Sequence, residues 1–350
     1  MSWACSFRRC GFVLACASAV LLVRGATAED WLQFRGPAGN GCATAKNLPL
    51  RWGGGFDPVT WQTNVPGSGW SSPIVVGDRI WLTTSEQLAL SDAKRAAKLA
   101  ANPILTPDFQ VHGSVSLYAI EFDATTGKLL RNIELFTVDD PPPIHAQNSY
   151  ASPTPVCDGQ RLFCHFGSLG TVCLEMNSGK VLWKERFAVD EITGPGGSPV
   201  LHQNLLILAC DGTDQQFVVA LDKLTGKQVW KTPRPAIAGP DKKLKRAFST
   251  PLLITHAGRE QLISPGAQWV CSYDPATGKE LWRANMGLGT HAVVPRPVYQ
   301  DGIVYVCTGY MKPELWAIKV DGEGDVTESH LEWNIDSQIP ELSSPLVAGG

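Results

Sequence analysis

A short pattern recurs along this chain, and its period limits the fold more than any other feature. The fullest copy begins at Ala220 and runs Leu221-Asp222-Lys223-Leu224-Thr225-Gly226-Lys227-Gln228-Val229-Trp230. Ser272-Tyr273-Asp274-Pro275-Ala276-Thr277-Gly278-Lys279-Glu280-Leu281-Trp282 repeats it. A third copy, residues 173–183, has Glu175 for the Asp and Ser178-Gly179 for the Thr-Gly. A fourth, residues 121–131, keeps Asp123, Thr126 and Gly127 but ends on Arg131. Trp183, Trp230 and Trp282 lie 47 and 52 residues apart. A second landmark, a small residue and Pro opening an apolar strand, is read at Ser72-Pro73, Ser152-Pro153, Ser198-Pro199, Thr250-Pro251, Arg296-Pro297 and Ser344-Pro345. Its steps are 80, 46, 52, 46 and 48 residues. A period of this size, filled with short alternating strands, predicts an all-β fold: a β-propeller of four-stranded antiparallel blades.

One unit reads strand by strand. Residues 154–157 form a first strand, and Asp158-Gly159 a tight hairpin turn in which Gly accepts positive φ without steric cost. Residues 161–166 are the second strand, 167–170 a loop, 171–176 the third strand and 181–186 the fourth. In the recurring turn, Asp and Thr side chains bond backbone amides. The small first residue and the Gly leave a flat hollow for a Trp of the neighbouring blade.

Ala220-x-Asp222-x-x-Thr225-Gly226-x-x-x-Trp230 resembles the tryptophan-docking motif of pyrroloquinoline-quinone-repeat propellers. The resemblance covers about residues 60 to 350 and implies a ring of seven or eight blades. Asp30-Trp31-x-Gln33-Phe34-Arg35-Gly36-Pro37 resembles the start of exported propellers of planctomycete-type bacteria. Val59-Thr60-Trp61-Gln62 reads as a fourth strand without its own first three, which in the family closes the ring. About five blades read as complete, so the expectation is a propeller truncated by about two blades, with an exposed strand edge.

The first residues read as an export signal, residues 1–28. Arg8 and Arg9 precede an apolar run, 11–22, and Ala26-Thr27-Ala28 is an A-x-A cleavage signal. That run is too short to span a bilayer, and no other is long enough for a membrane helix. The expected organisation is an N-terminal extension, 29–58, and the propeller, 59–350, in a periplasmic or secreted protein. A formal charge of -3 offers no basic face for nucleic acid. Cys42, Cys157, Cys164, Cys173, Cys210, Cys271 and Cys307 remain after the signal, without a C-x-x-C or adjacent pair, and read as small core residues.

Propeller topology places the loop before each first strand, and the loop between second and third strands, on one face around the channel mouth. The first of these loops is expanded at about 85–113. Ser91 reads as a helix cap, residues 93–101 as helix and Pro103 as its end. Polar residues that fall on this face are the candidate ligand-binding set: His145, Asn148, Asp211, Asp214, Arg246, His291 and Arg296. No metal-ligand spacing, nucleophile elbow or phosphate loop is present. The reading is an exported non-catalytic binding or scaffold propeller holding a protein, peptide or glycan, similar to the periplasmic propeller of outer-membrane barrel assembly. The alternative that the resemblance implies is a pyrroloquinoline-quinone dehydrogenase acting on alcohols or sugars, with calcium beside the quinone. The vicinal disulfide of many such enzymes has no counterpart here.

Overall fold

The computed structural model describes residues 29–46, 48–51, 59–101 and 105–348. The expected export signal and Pro103 lie outside the described residues. Among the described residues, five sheets follow one another, each built on four antiparallel strands, and a two-stranded sheet pairs Phe109–Gln110 with Ile144–His145. Blade 1 is Ile74–Val76, Arg79–Ala89, His112–Asp123 and Leu129–Asp139. Blade 2 is Val156–Cys157, Arg161–His165, Thr171–Glu175 and Val181–Glu185. Blade 3 is Val200–His202, Leu205–Asp211, Gln216–Asp222 and Gln228–Pro233. Blade 4 is Leu252–His256, Arg259–Pro265, Trp269–Tyr273 and Glu280–Asn285. Blade 5 is Val298–Gln300, Ile303–Cys307, Leu315–Lys319 and Leu331–Ile335.

Middle strands read as unbroken apolar runs because neighbouring blades cover both their faces. Leu206, Ile207 and Leu208 are all buried, as are residues 217–221 opposite them. The core is accordingly divided into layers between successive blades: one set of buried side chains joins blades 1 and 2, and another joins blades 4 and 5. Cys157, Cys164, Cys173, Cys210, Cys271 and Cys307 are buried free thiols, and among the described cysteines Cys42 alone is exposed.

The recurring turn holds itself as its side chains predict. Asp222 Oδ1 accepts from the amides of Leu224 and Thr225, at 3.1 and 2.8 Å, and from the Thr225 hydroxyl at 2.9 Å. Gly226 follows at φ 73°, and an added Cβ there would stand 2.7 Å from the Trp183 ring of blade 2. The indole of Trp183 donates to Lys223 O at 3.0 Å. Trp230 repeats both contacts on blade 4, lying over Gly278 and donating to Pro275 O at 3.2 Å. Ala220 is fully buried in the strand leading to the turn.

Two junctions depart from that scheme. Arg131 occupies the tryptophan position between blades 1 and 2. Its guanidinium donates to Met176 O, the carbonyl one residue beyond Glu175, which corresponds to the carbonyl that each indole reaches. It also donates to Asn177 O at 3.2 Å, pairs with the buried Glu121 and lies 5.0 Å from the Trp81 ring centre. Trp282 is fully buried but donates to Gln261 Oε1 of its own blade at 2.8 Å. Blade 5 has no Asp-x-x-Thr-Gly turn to receive it. Val320 and Val326 share its buried cluster instead, and Gly324–Asp325 adds a parallel edge to blade 4.

Other expectations are refined. Trp61 belongs to no strand, yet its ring lies over Gly127 and donates to Ala124 O at 2.9 Å. The expanded loop is shorter than expected, because blade 1 continues its ladder to Ala89 opposite His112. The helix within it is Asp92–Ala100, with Ser91 as N-cap residue but no side-chain cap bond. Lys98 ties it to Asp140 Oδ1 at 2.5 Å.

Candidate functional site at the channel mouth

The loops that lead into the first strands converge around the axis of the blades. Ser72, Thr154, Ser198, Thr250 and Ser344, each followed by Pro, form the inner ring. Ser72 N donates to Thr154 Oγ1, Thr154 N to Ser198 Oγ, Ser198 N to Thr250 Oγ1, and Arg296 N to Ser344 Oγ, each at 2.9 Å. This corrects the second landmark in blade 2: Thr154-Pro155 holds the register, and Ser152-Pro153 sits two residues upstream. The hydroxyl explains the preference for Ser or Thr, since it satisfies an amide of the preceding blade that would otherwise be buried unpaired. Arg296 has no hydroxyl to continue the ring. Its guanidinium instead donates to Pro251 O at 3.2 Å and to Phe34 O at 2.5 Å.

That last bond fixes the N-terminal strap. Trp31 pairs with Val75 of blade 1, and Leu32 O accepts from Cys157 N of blade 2 at 3.0 Å. Arg35 donates to Asn40 O at 2.6 Å and Pro345 O at 2.7 Å. The strap therefore crosses the axis from blades 1 and 2 to the end of the described chain.

Above this floor is a cavity of about 420 Å³. Phe34 comes from the strap, and Trp70, His145, Gln147, Asn148, Thr193, Arg246, Phe248, Val294 and Leu342 from lead-in loops. Tyr310 comes from the loop between the second and third strands of blade 5. The lining is largely apolar and contains no Asp or Glu. Trp70 is 66 % exposed at the mouth, an unusual position for a side chain of its size.

Three of the seven candidate residues, His145, Asn148 and Arg246, meet in this lining. Asn148 is spent on its surroundings: it donates to Thr193 O at 2.9 Å and Pro195 O at 3.0 Å, and accepts from Ser152 Oγ at 2.5 Å. His145 packs edge-on against Phe109 and accepts at Nδ1 from Gln147 N at 3.2 Å. Arg246 differs from both. Its Nε and Nη1 are buried with no hydrogen-bond partner among the described residues. Burial pushes its pKa down, opposed only at longer range by Asp241 and Asp190.

The other four do not line the cavity. Asp211 is buried and accepts from Arg234 Nε at 2.5 Å and Nη2 at 2.7 Å. Burial opposes the charge on Arg234, but the Asp211 carboxylate more than offsets it and holds the guanidinium above its ordinary value. Arg234 also donates to Ser264 O at 2.9 Å, so the pair fastens blade 3 to blade 4. Asp214 accepts from Asp190 N at 2.8 Å and orders that loop. His291 is buried, with Nδ1 at 2.7 Å from Gly289 O and its ring edge-on to Tyr310. Arg296 is committed to the strap, and burial, with Arg35 nearby, pushes its pKa down to about 9.

The apolar lining was missed from sequence, although bulky residues in otherwise polar loops, such as Trp70 and Phe248, were the available signal. Among the described residues no group of three His, Cys, Asp or Glu stands together as a metal donor set. Without a carboxylate in the lining, the residues present do not fit a calcium ion beside a quinone.

Residues 116–350 match the profile of the family described as outer membrane protein assembly factor BamB. Among solved structures, BamB from Moraxella catarrhalis is 16 % identical with a TM-score of 0.46, covering 65 % of this chain and 61 % of that one. A europium-containing methanol dehydrogenase is 13 % identical with a TM-score of 0.49, covering 83 % of this chain and 55 % of that one. The quinohemoprotein alcohol dehydrogenase of Comamonas testosteroni is 13 % identical with a TM-score of 0.50, covering 90 % of this chain and 69 % of that one. The chain thus spans under two thirds of the first two. At these identities the likeness extends to the fold alone. A search of curated proteins gives no match.

Proposed function

The chain belongs to the family of outer membrane protein assembly factor BamB, and from that premise we propose that it is a periplasmic, non-catalytic scaffold acting in outer-membrane protein assembly. Its working surface is the channel mouth, which holds a segment of a protein partner. The carrying observation is the cavity lining: Phe34, Trp70, Phe248, Tyr310 and Leu342 converge there beside polar groups that include His145, Asn148 and Arg246, with no Asp or Glu. A concave lining that mixes aromatic and polar groups suits the capture of a guest side chain. The repeated turns at the rim, with Trp183 and Trp230 docked in them, hold the blades that present it. Among the described residues no helix is long and apolar enough to cross a membrane.

Site-specific photo-crosslinking in the bacterial envelope tests the reading. A crosslinker in place of Trp70 or Leu342 should capture an outer-membrane β-barrel protein or a component of its assembly machinery. The same group at Leu224, exposed on a rim turn, should not. Equal capture from both places, or none from the mouth, contradicts the proposal.

A further inference from the structure

Arg246 is the one cation among the described lining residues, and the carboxylates that act on it, Asp241 and Asp190, do so without a hydrogen bond to its Nε or Nη1. Two of its nitrogens are removed from water without an acceptor. A guanidinium in that state has lost hydration and gained little in return, so an anion entering the cavity meets an undercompensated charge. The residues before it strengthen the field. A 3-10 turn, Lys242–Lys245, brings three lysines to the same lead-in loop, capped by Asp241 accepting from Lys243 N at 2.9 Å. Beside Arg246, Phe248 and Tyr310 supply apolar wall, and Trp70 stands open at the mouth.

We infer that the channel mouth recognises an acidic peptide segment, in which an Asp or Glu carboxylate pairs with Arg246 while a neighbouring aromatic or aliphatic side chain enters the cavity. The inference rests on the protein-binding reading above and names the chemistry of the guest. Arg296, by contrast, takes no part, because its guanidinium is occupied by Phe34 O and Pro251 O. The lysines act at longer range, drawing acidic segments to the mouth in a salt-dependent way.

Selection of a random heptapeptide display library on the whole protein tests it. Peptides enriched on the wild type should carry Asp or Glu within two positions of an aromatic or aliphatic residue. On R246Q the acidic preference should disappear while the apolar preference stays, and on R246K the acidic preference should partly persist. A selected acidic peptide should bind R246Q about tenfold or more weakly than wild type. Matched thermal melts of the variants keep a folding defect from imitating the result. Enrichment without acidic preference, or the same preference on R246Q, overturns the carboxylate assignment and leaves the scaffold reading in place. No enrichment over W70A/Y310A, the variant with a stripped mouth, overturns both.

Discussion

The rim and the mouth of this molecule are built from the same repeat by opposite rules. At the rim, one solution recurs. Trp61, Trp183 and Trp230 each lie over a turn glycine and donate to the carbonyl one residue past the turn Asp. Where the tryptophan is lost, Arg131 donates to the corresponding carbonyl. At the mouth, successive blades share only the hydroxyl ring and then diverge into Trp70, His145, Thr193, Arg246 and Val294. Repetition marks positions that must satisfy their neighbours, and divergence marks positions left to meet something else. Asp211 and Arg246 show the contrast within one blade boundary. The first is buried with a bidentate partner, and the second faces the cavity with none.

Substitutions at the contacts that hold the blades together should act on stability first, whether at the rim turns, at the blade 3–blade 4 ion pair or in the inner hydroxyl ring. Trp230→Ala should cost about 3–5 kcal/mol in urea unfolding, because its hollow on blade 4 stays empty. Asp211→Ala should cost a similar amount, since it strands Arg234 in the interior; unfolding within error of wild type would return Asp211 to the candidate ligand set. Thr250→Val removes the acceptor for Ser198 N and should cost about 1–3 kcal/mol.

The sequence carried the rim well and the mouth only in part, for a physical reason. A turn that must fit a Trp keeps Asp222, Thr225 and Gly226 together in the chain, where a pattern is visible. The inner ring was also visible, but Ser152-Pro153 and Thr154-Pro155 compete in one stretch, and only register separates them. Trp282 shows the limit of the pattern: it matches the motif, yet the inserted residues 320–330 replace its expected seat. Arg246 and Arg296 are alike as letters. What separates them is the strap, whose Phe34 carbonyl reaches one and not the other.

A smaller effect lies between the two regions. Glu191 accepts from Ser168 N at 2.7 Å and anchors the loop that carries Thr193 into the cavity wall. Burial, helped by Asp211 and Asp190, pushes its carboxyl up to about 7 despite the Ser168 bond. The folded state therefore holds this proton more tightly than the unfolded chain. Its contribution to stability should be full below the ordinary carboxylate range and be lost as pH rises through about 7. Urea unfolding at several pH values should show that decline in the wild type and a flatter profile in Glu191→Gln. Equal slopes would remove Glu191 from the account. Arg246→Gln should leave the protein as stable as wild type or somewhat more so, because it removes a partly buried charge without a partner among the described residues, despite its large effect on peptide affinity.

Hydrogen exchange with and without a selected peptide tests the division of labour most directly. Bound peptide should slow exchange in the lead-in loops, residues 145–152, 190–197 and 244–250. The rim turns, residues 123–127, 222–226 and 274–278, should exchange as in the free protein. Protection centred on the rim turns, or none at the mouth, would contradict the assignment of binding to the channel mouth.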